Sequence, residues 1–214
     1  MPQHNEKRTP AQVWHEMERG NERFVAGTPQ HPRQDVERRT ELAEFQAPHA
    51  ALFGCSDSRL AAEIIFDKGL GDLFVVRNAG QVISDSVIGS LEYAVGVLKV
   101  PLILVLGHDE CGAVRAAIDS RQPDATPLPP HIAGLVARIL PAVDRCLLAT
   151  GGTDVEALDA QDVGREHLRD TVGELLAASE LISDAVAAGS LAVVGANYRL
   201  REGRAVPDVV VGQI

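Results

Sequence analysis

Apolar residues recur along the chain in two rhythms. Candidate strands fall at Ala50–Gly54, Asp72–Arg77, Leu102–Leu106 and Leu191–Gly195, and three of the four are continuous apolar runs. Such runs, bounded by glycine, proline and polar residues, predict strands buried on both faces, as in a parallel sheet covered by helices. Between them the spacing changes to that of amphipathic helices. Val87, Ile88, Leu91, Ala94, Val95 and Leu98 hold the i, i+3, i+4, i+7 pattern and predict a helix over Ser84–Lys99. A second helix begins at Thr9-Pro10, with Thr9 as cap, Pro10 at the first position, and Val13, Trp14, Met17 and Phe24 near one face.

The remaining segments complete the alternation. Residues 27–35, with Pro29 and Pro32, read as an extended connection. Helical patterns follow over Val36–Phe45, Leu60–Phe66, Gly112–Ser120, Ile132–Ala149 and Asp162–Ala188, the last ending at Gly189. Four prolines between Arg121 and His131 mark a loop. Tyr198–Val206 reads as a hairpin leading to a fifth strand over Val209–Val211, antiparallel at an edge. The expected fold is α/β: a mostly parallel four-stranded sheet flanked by helices, with a C-terminal antiparallel edge strand and an N-terminal helical arm. Residues 1–214 are taken as one domain. Residues 1–8 are expected to be disordered or an arm, and the helix within 1–30, with its tryptophan and methionine, is assigned to packing on a partner subunit.

Composition narrows the function. At 214 residues with 45% hydrophobic and 23% charged content the chain is ordinary for a soluble globular protein. A formal net charge of -10 argues against nucleic-acid and anionic-membrane partners. No apolar run is long enough to span a bilayer and the polar start does not resemble a secretion signal, so the expected location is cytoplasmic. Three cysteines do not suggest a disulfide framework. Cys146 reads as a small hydrophobe in an apolar helix.

The chemistry gathers at two strand ends. The first strand runs into Gly54-Cys55-Ser56-Asp57-Ser58-Arg59 and the third into Gly107-His108-Asp109-Glu110-Cys111-Gly112. In open α/β sheets functional groups collect beyond the carboxyl ends of the strands. Two thiolates and an imidazole form a zinc ligand set, and three protein ligands leave one position open for catalysis. A helix opening after residue 109 would favour a thiolate at Cys111. Asp57 is placed to fill the open position or sit beside it, and Arg59 to hold that carboxylate in a two-pronged ion pair. His4, His15, His31, His49, His131 and His167 lack ligand spacing and read as surface or turn residues.

These two stretches, with Gly71-Asp72-Leu73-Phe74-Val75-Val76-Arg77-Asn78-Ala79-Gly80 and Ser90-Leu91-Glu92-Tyr93-Ala94-Val95, resemble the β-class carbonic anhydrases, in their plant-type branch. The resemblance is dense over residues 12–121 and looser over 162–206. It implies reversible hydration of carbon dioxide to bicarbonate and a proton by one zinc ion per chain, held by Cys55, His108 and Cys111. The Asp57–Arg59 dyad would control the fourth position, where the aspartate either accepts a hydrogen bond from the metal's water or becomes a ligand itself. Gln46, Phe74 and Tyr93 match residues lining the substrate cleft, Gln46 donating to a substrate oxygen and the two rings forming an apolar wall at a dimer interface. A homodimer or dimer of dimers is implied. Another branch carries a tryptophan in an inhibitory bicarbonate pocket where this chain has Leu52, although that pocket's arginine has a counterpart in Arg77. With two thiolates offsetting the metal's charge, activity is expected to rise towards alkaline pH. Alternatives are hydrolysis of carbonyl sulfide or carbon disulfide on the same fold, a zinc-stabilised binding protein without activity, and a redox switch through Cys55 and Cys111.

Overall fold

The computed structural model describes residues 8–152 and 154–214. Residues 1–7, most of the expected disordered arm, lie outside them. A five-stranded sheet runs through the chain in the order β2-β1-β3-β4-β5. Its strands are β1 (Ala50–Cys55), β2 (Leu73–Asn78), β3 (Leu102–His108), β4 (Ala192–Arg199) and β5 (Arg204–Val211). The first four are parallel and β5 pairs antiparallel with β4, with an irregularity at Gly195/Ala196. All residues of β1 and β3 are buried, as their unbroken apolar sequences require.

Side chains alternate between the two faces. Leu52, Leu102, Leu104, Leu106, Val194 and Ala196 join one core cluster, while Ala51, Phe53, Ile103, Val105 and Val193 join the other. Helices α1 (Pro10–Val25), α3 (Ala62–Ile65), α5 (Gly112–Asp119), α6 (Pro130–Ala137) and α7 (Leu140–Ala149) supply the first cluster. Helices α4 (Asp85–Gly96), α8 (Ala160–Ala178) and α9 (Glu180–Ala187) supply most of the second. The short α2 (Val36–Glu41) buries no side chain.

Three expectations change. The apolar face of α1 is not reserved for a partner: Val13 and Met17 are 0% exposed and Trp14 6%, all within this chain's own core. The helix starts as its sequence dictates, with a capping box between Thr9 and Gln12 and Pro10 in the first turn. Each of the two long C-terminal helical segments is broken. Arg138 and Ile139 separate α6 from α7 just before Pro141, which cannot continue the earlier helix. Ser179 leaves the helical conformation between α8 and α9, and its side chain caps the second by accepting from the Ile182 amide. Finally, β5 begins at Arg204, five residues earlier than its apolar stretch indicates.

Candidate metal centre

The topology fixes where a site must form. From β1 the chain moves to one side to make β2, then crosses back to place β3 on the other side of β1. The carboxyl ends of β1 and β3 therefore flank the point where the winding direction reverses, and neighbouring loops part there to leave a crevice. Cys55 is the last residue of β1 and His108 the last of β3. Cys111 lies three residues on, as the N-cap of α5 rather than within its first turn.

These three side chains converge. Their ligand atoms lie within 4.8 Å of one another, and all three residues are buried. The imidazole is oriented by its other nitrogen: Nδ1 lies 2.7 Å from the Asp109 carbonyl, which can only accept, so Nδ1 carries the proton. Nε2 is left with its lone pair, buried and without a hydrogen-bond partner among the described residues. An orphaned acceptor in a closed cluster of sulfurs is costly unless a cation takes it.

The sulfurs give the same answer. Cys55 is drawn well below the ordinary thiol range, chiefly by a hydrogen bond from Cys111 and, against the effect of burial, also by the amides of Gly80 and Asp57. Cys111 is pushed up, first because its proton is held on Cys55 and next by burial, although the Ala113 and Val114 amides at the start of α5 act the other way. Two buried thiols this close share a proton; both ionise only beside a cation. The donor set thus fits a borderline-soft divalent ion such as zinc.

Asp57 stands beside this cluster in the grip of Arg59. Arg59 Nε donates to Oδ1 at 2.8 Å and Nη2 to Oδ2 at 2.7 Å, while the Arg59 amide adds a third bond at 2.9 Å. That pairing holds the Asp57 carboxyl well below the usual carboxylate range. Its Oδ2 is 4.0 Å from His108 Nε2. Arg77 anchors the same loop from below, donating to the Cys55 carbonyl at 2.9 Å and the Asp57 carbonyl at 2.6 Å.

Phe74, Tyr93 and Gln46 are the remaining candidates. The rings of Phe74 and Tyr93 face each other with centroids 6.1 Å apart, Phe74 half-buried and Tyr93 44% exposed. Gln46 is exposed in the segment before β1. Sequence reasoning missed His167, which is 3% exposed rather than on the surface, and the buried Nδ1 of His49. No local motif marks either; the partner of His167, the Gly80 carbonyl, comes from a segment 87 residues away.

Comparison with known proteins places this geometry. A profile of the carbonic anhydrase family matches residues 50–205. A protein named carbonic anhydrase 2 from Mycobacterium tuberculosis is 50% identical over 205 residues, 96% of each chain. A carbonic anhydrase from Mycolicibacterium smegmatis is 48% identical over 197 residues, 91% of each. Among solved structures, the Coccomyxa β-carbonic anhydrase in complex with acetazolamide superposes with a TM-score of 0.67 at 28% identity, covering 78% of this chain and 75% of that one. A β-carbonic anhydrase of Aspergillus fumigatus gives 0.67 at 26% identity, covering 88% and 86%. With its sheet order, its strand-end cluster of Cys55, His108 and Cys111 and these likenesses, the chain belongs to the carbonic anhydrase family, in its β class.

Proposed function

We propose that this enzyme hydrates carbon dioxide reversibly to bicarbonate and a proton, with one zinc ion held by Cys55, His108 and Cys111, and with the Asp57–Arg59 dyad governing the fourth metal position. The observation that carries the reading is the bidentate clasp of Arg59 on Asp57, a few ångströms from the unpartnered Nε2 of His108. When bound, zinc would supply Lewis acidity that makes water a nucleophile far below its bulk pKa. The protein's residues supply the rest.

Arg59 keeps Asp57 ionised and turned towards the guanidinium, so the carboxylate can accept a hydrogen bond at the open position without ligating. Arg77 fixes the backbone from which Asp57 projects, limiting its swing towards the cluster. Phe74 and Tyr93 are assigned to an apolar wall that admits carbon dioxide and excludes water, and Gln46 to a donor for a substrate oxygen. Their support is exposure: Tyr93 and Gln46 lie open in the lone chain, as residues completed by a second copy would. A homodimer or dimer of dimers is the corresponding assembly.

The ligand assignment is tested by Cys111→Ser and His108→Ala. Each is expected to lose stoichiometric zinc and hydration activity while the far-ultraviolet circular dichroism of the fold remains. Retention of one tightly held zinc per chain by both variants would contradict it.

A further inference from the structure

We propose that His167 is a positioning residue for the metal centre: by holding the Gly80 carbonyl it keeps the Gly80 amide on the Cys55 sulfur and so tunes that thiolate as a ligand. The inference rests on the reading of Cys55 as a metal ligand.

The geometry begins at the sulfur. Gly80 N lies 3.3 Å from Cys55 Sγ, and an amide donating to a thiolate withdraws charge from it, altering its donation to a bound cation. That amide sits in a turn of unfavourable backbone conformation. Gly80 and Gln81 adopt φ of 78° and 41° in succession, and a left-handed glutamine is an unfavourable conformation that surrounding contacts must impose. Gly80 also has no room for a side chain, since a Cβ would come within 2.9 Å of the Ala113 methyl and 3.1 Å of Ile139 Cδ1.

Two supports pin the turn. Asn78 closes it from within, accepting from Val82 N at 2.9 Å and donating to Val82 O at 2.7 Å. The other support comes from α8, 87 residues away in sequence, where His167 Nε2 approaches Gly80 O at 2.7 Å. A carbonyl only accepts, so Nε2 bears the proton. Burial keeps the ring neutral by lowering its pKa. One turn further along α8, Thr171 Oγ1 donates to His167 O at 2.8 Å and lies 3.4 Å from Gln81 O. Thus His167 and Thr171, one turn apart on α8, are committed to the loop behind Cys55.

Two variants of similar length and shape separate the donor from the packing. His167→Gln keeps an amide N–H where Nε2 stands; His167→Met does not. The readouts are metal affinity, by competition with a chromophoric chelator, and the thiolate-to-metal charge-transfer band of the cobalt-substituted protein. His167→Met is expected to bind zinc roughly 10- to 100-fold more weakly and to shift the band, with His167→Gln returning most of both. Leu168→Ala, a cavity at the neighbouring core position, should lower stability and leave the band in place. If His167→Met does not fold, His167→Leu takes its place. Wild-type affinity and band position in the folded donor-less variant would overturn the proposal, as would an equal shift in Leu168→Ala. Failure of the wild type to bind one zinc or cobalt per chain would instead overturn the metal reading itself, and this proposal with it.

Discussion

In the proposed mechanism Asp57 has two opposite parts open to it, and one guanidinium decides between them. On that reading an aspartate two residues beyond a ligand cysteine would be within reach of the same cation, and the clasp of Arg59 is what would hold it off. Arg59→Ala is therefore expected to retain one zinc per chain and to lose activity roughly 10²-fold, the scale on which a misoriented catalytic group is felt. Zinc analysis alongside stopped-flow hydration checks both halves, and loss of metal in this variant would recast Arg59 as structural. At this scale the sequence was informative where a residue sits at a strand end. Cys55, Asp57, Arg59, His108 and Cys111 could be named because the apolar runs before them announce β1 and β3. It was silent on His167 and on what Arg77 holds, because those roles depend on carbonyls brought near by the fold.

Helix α1 shows the same limit for an element. Its amphipathic face and its caps were readable, but not which surface the face would cover. Packing decides: a Cβ at Gly20 would collide with the Phe66 carbonyl, so the helix backbone lies directly on the end of α3. Asn21, 5% exposed, donates to Ile65 O and Gly203 O and accepts from Ala205 N, fastening α1 to the β4–β5 hairpin. Asn21→Ala leaves those backbone groups unpaired and is expected to cost about 3 kcal/mol. This would be read as a lower denaturant midpoint at unchanged slope; a shift within error would mean α1 is not integral to the fold. The merged helices had a different cause. Helical periodicity carries across Ile139 and Ser179, so only a proline and a serine cap, both weak signals alone, marked the breaks. The early start of β5 was hidden because Arg204 to Pro207 lies at an edge, where burial does not impose an alternation.

For the whole molecule, buried titratable groups set its pH range. Asp72 is fully buried; burial raises its pKa, but Arg33 and the Gly69 amide more than offset this, leaving it lowered. A depressed carboxylate contributes stability that is present above its unfolded pKa of about 3.9 and is lost as pH falls through the folded value. His49 acts earlier. Burial first, then the nearby Arg8 and Lys68, lower it to about 4, opposed by Asp72 and Glu16. Unfolded, it takes up a proton below about 6.5, so the stability from keeping it neutral is lost as pH drops from there towards 4. The melting temperature is expected to decline across that window, and His49→Gln to flatten the decline. An unchanged slope in the variant would remove His49 from the account.

The central claim is that the cluster at the ends of β1 and β3 makes this chain a zinc enzyme acting on carbon dioxide. Stopped-flow hydration of carbon dioxide, followed with a pH indicator on protein of measured zinc content, tests it most directly. The expected result is one zinc per chain and activity that rises from mildly acidic to alkaline conditions. One zinc per chain with no hydration at alkaline pH would contradict it.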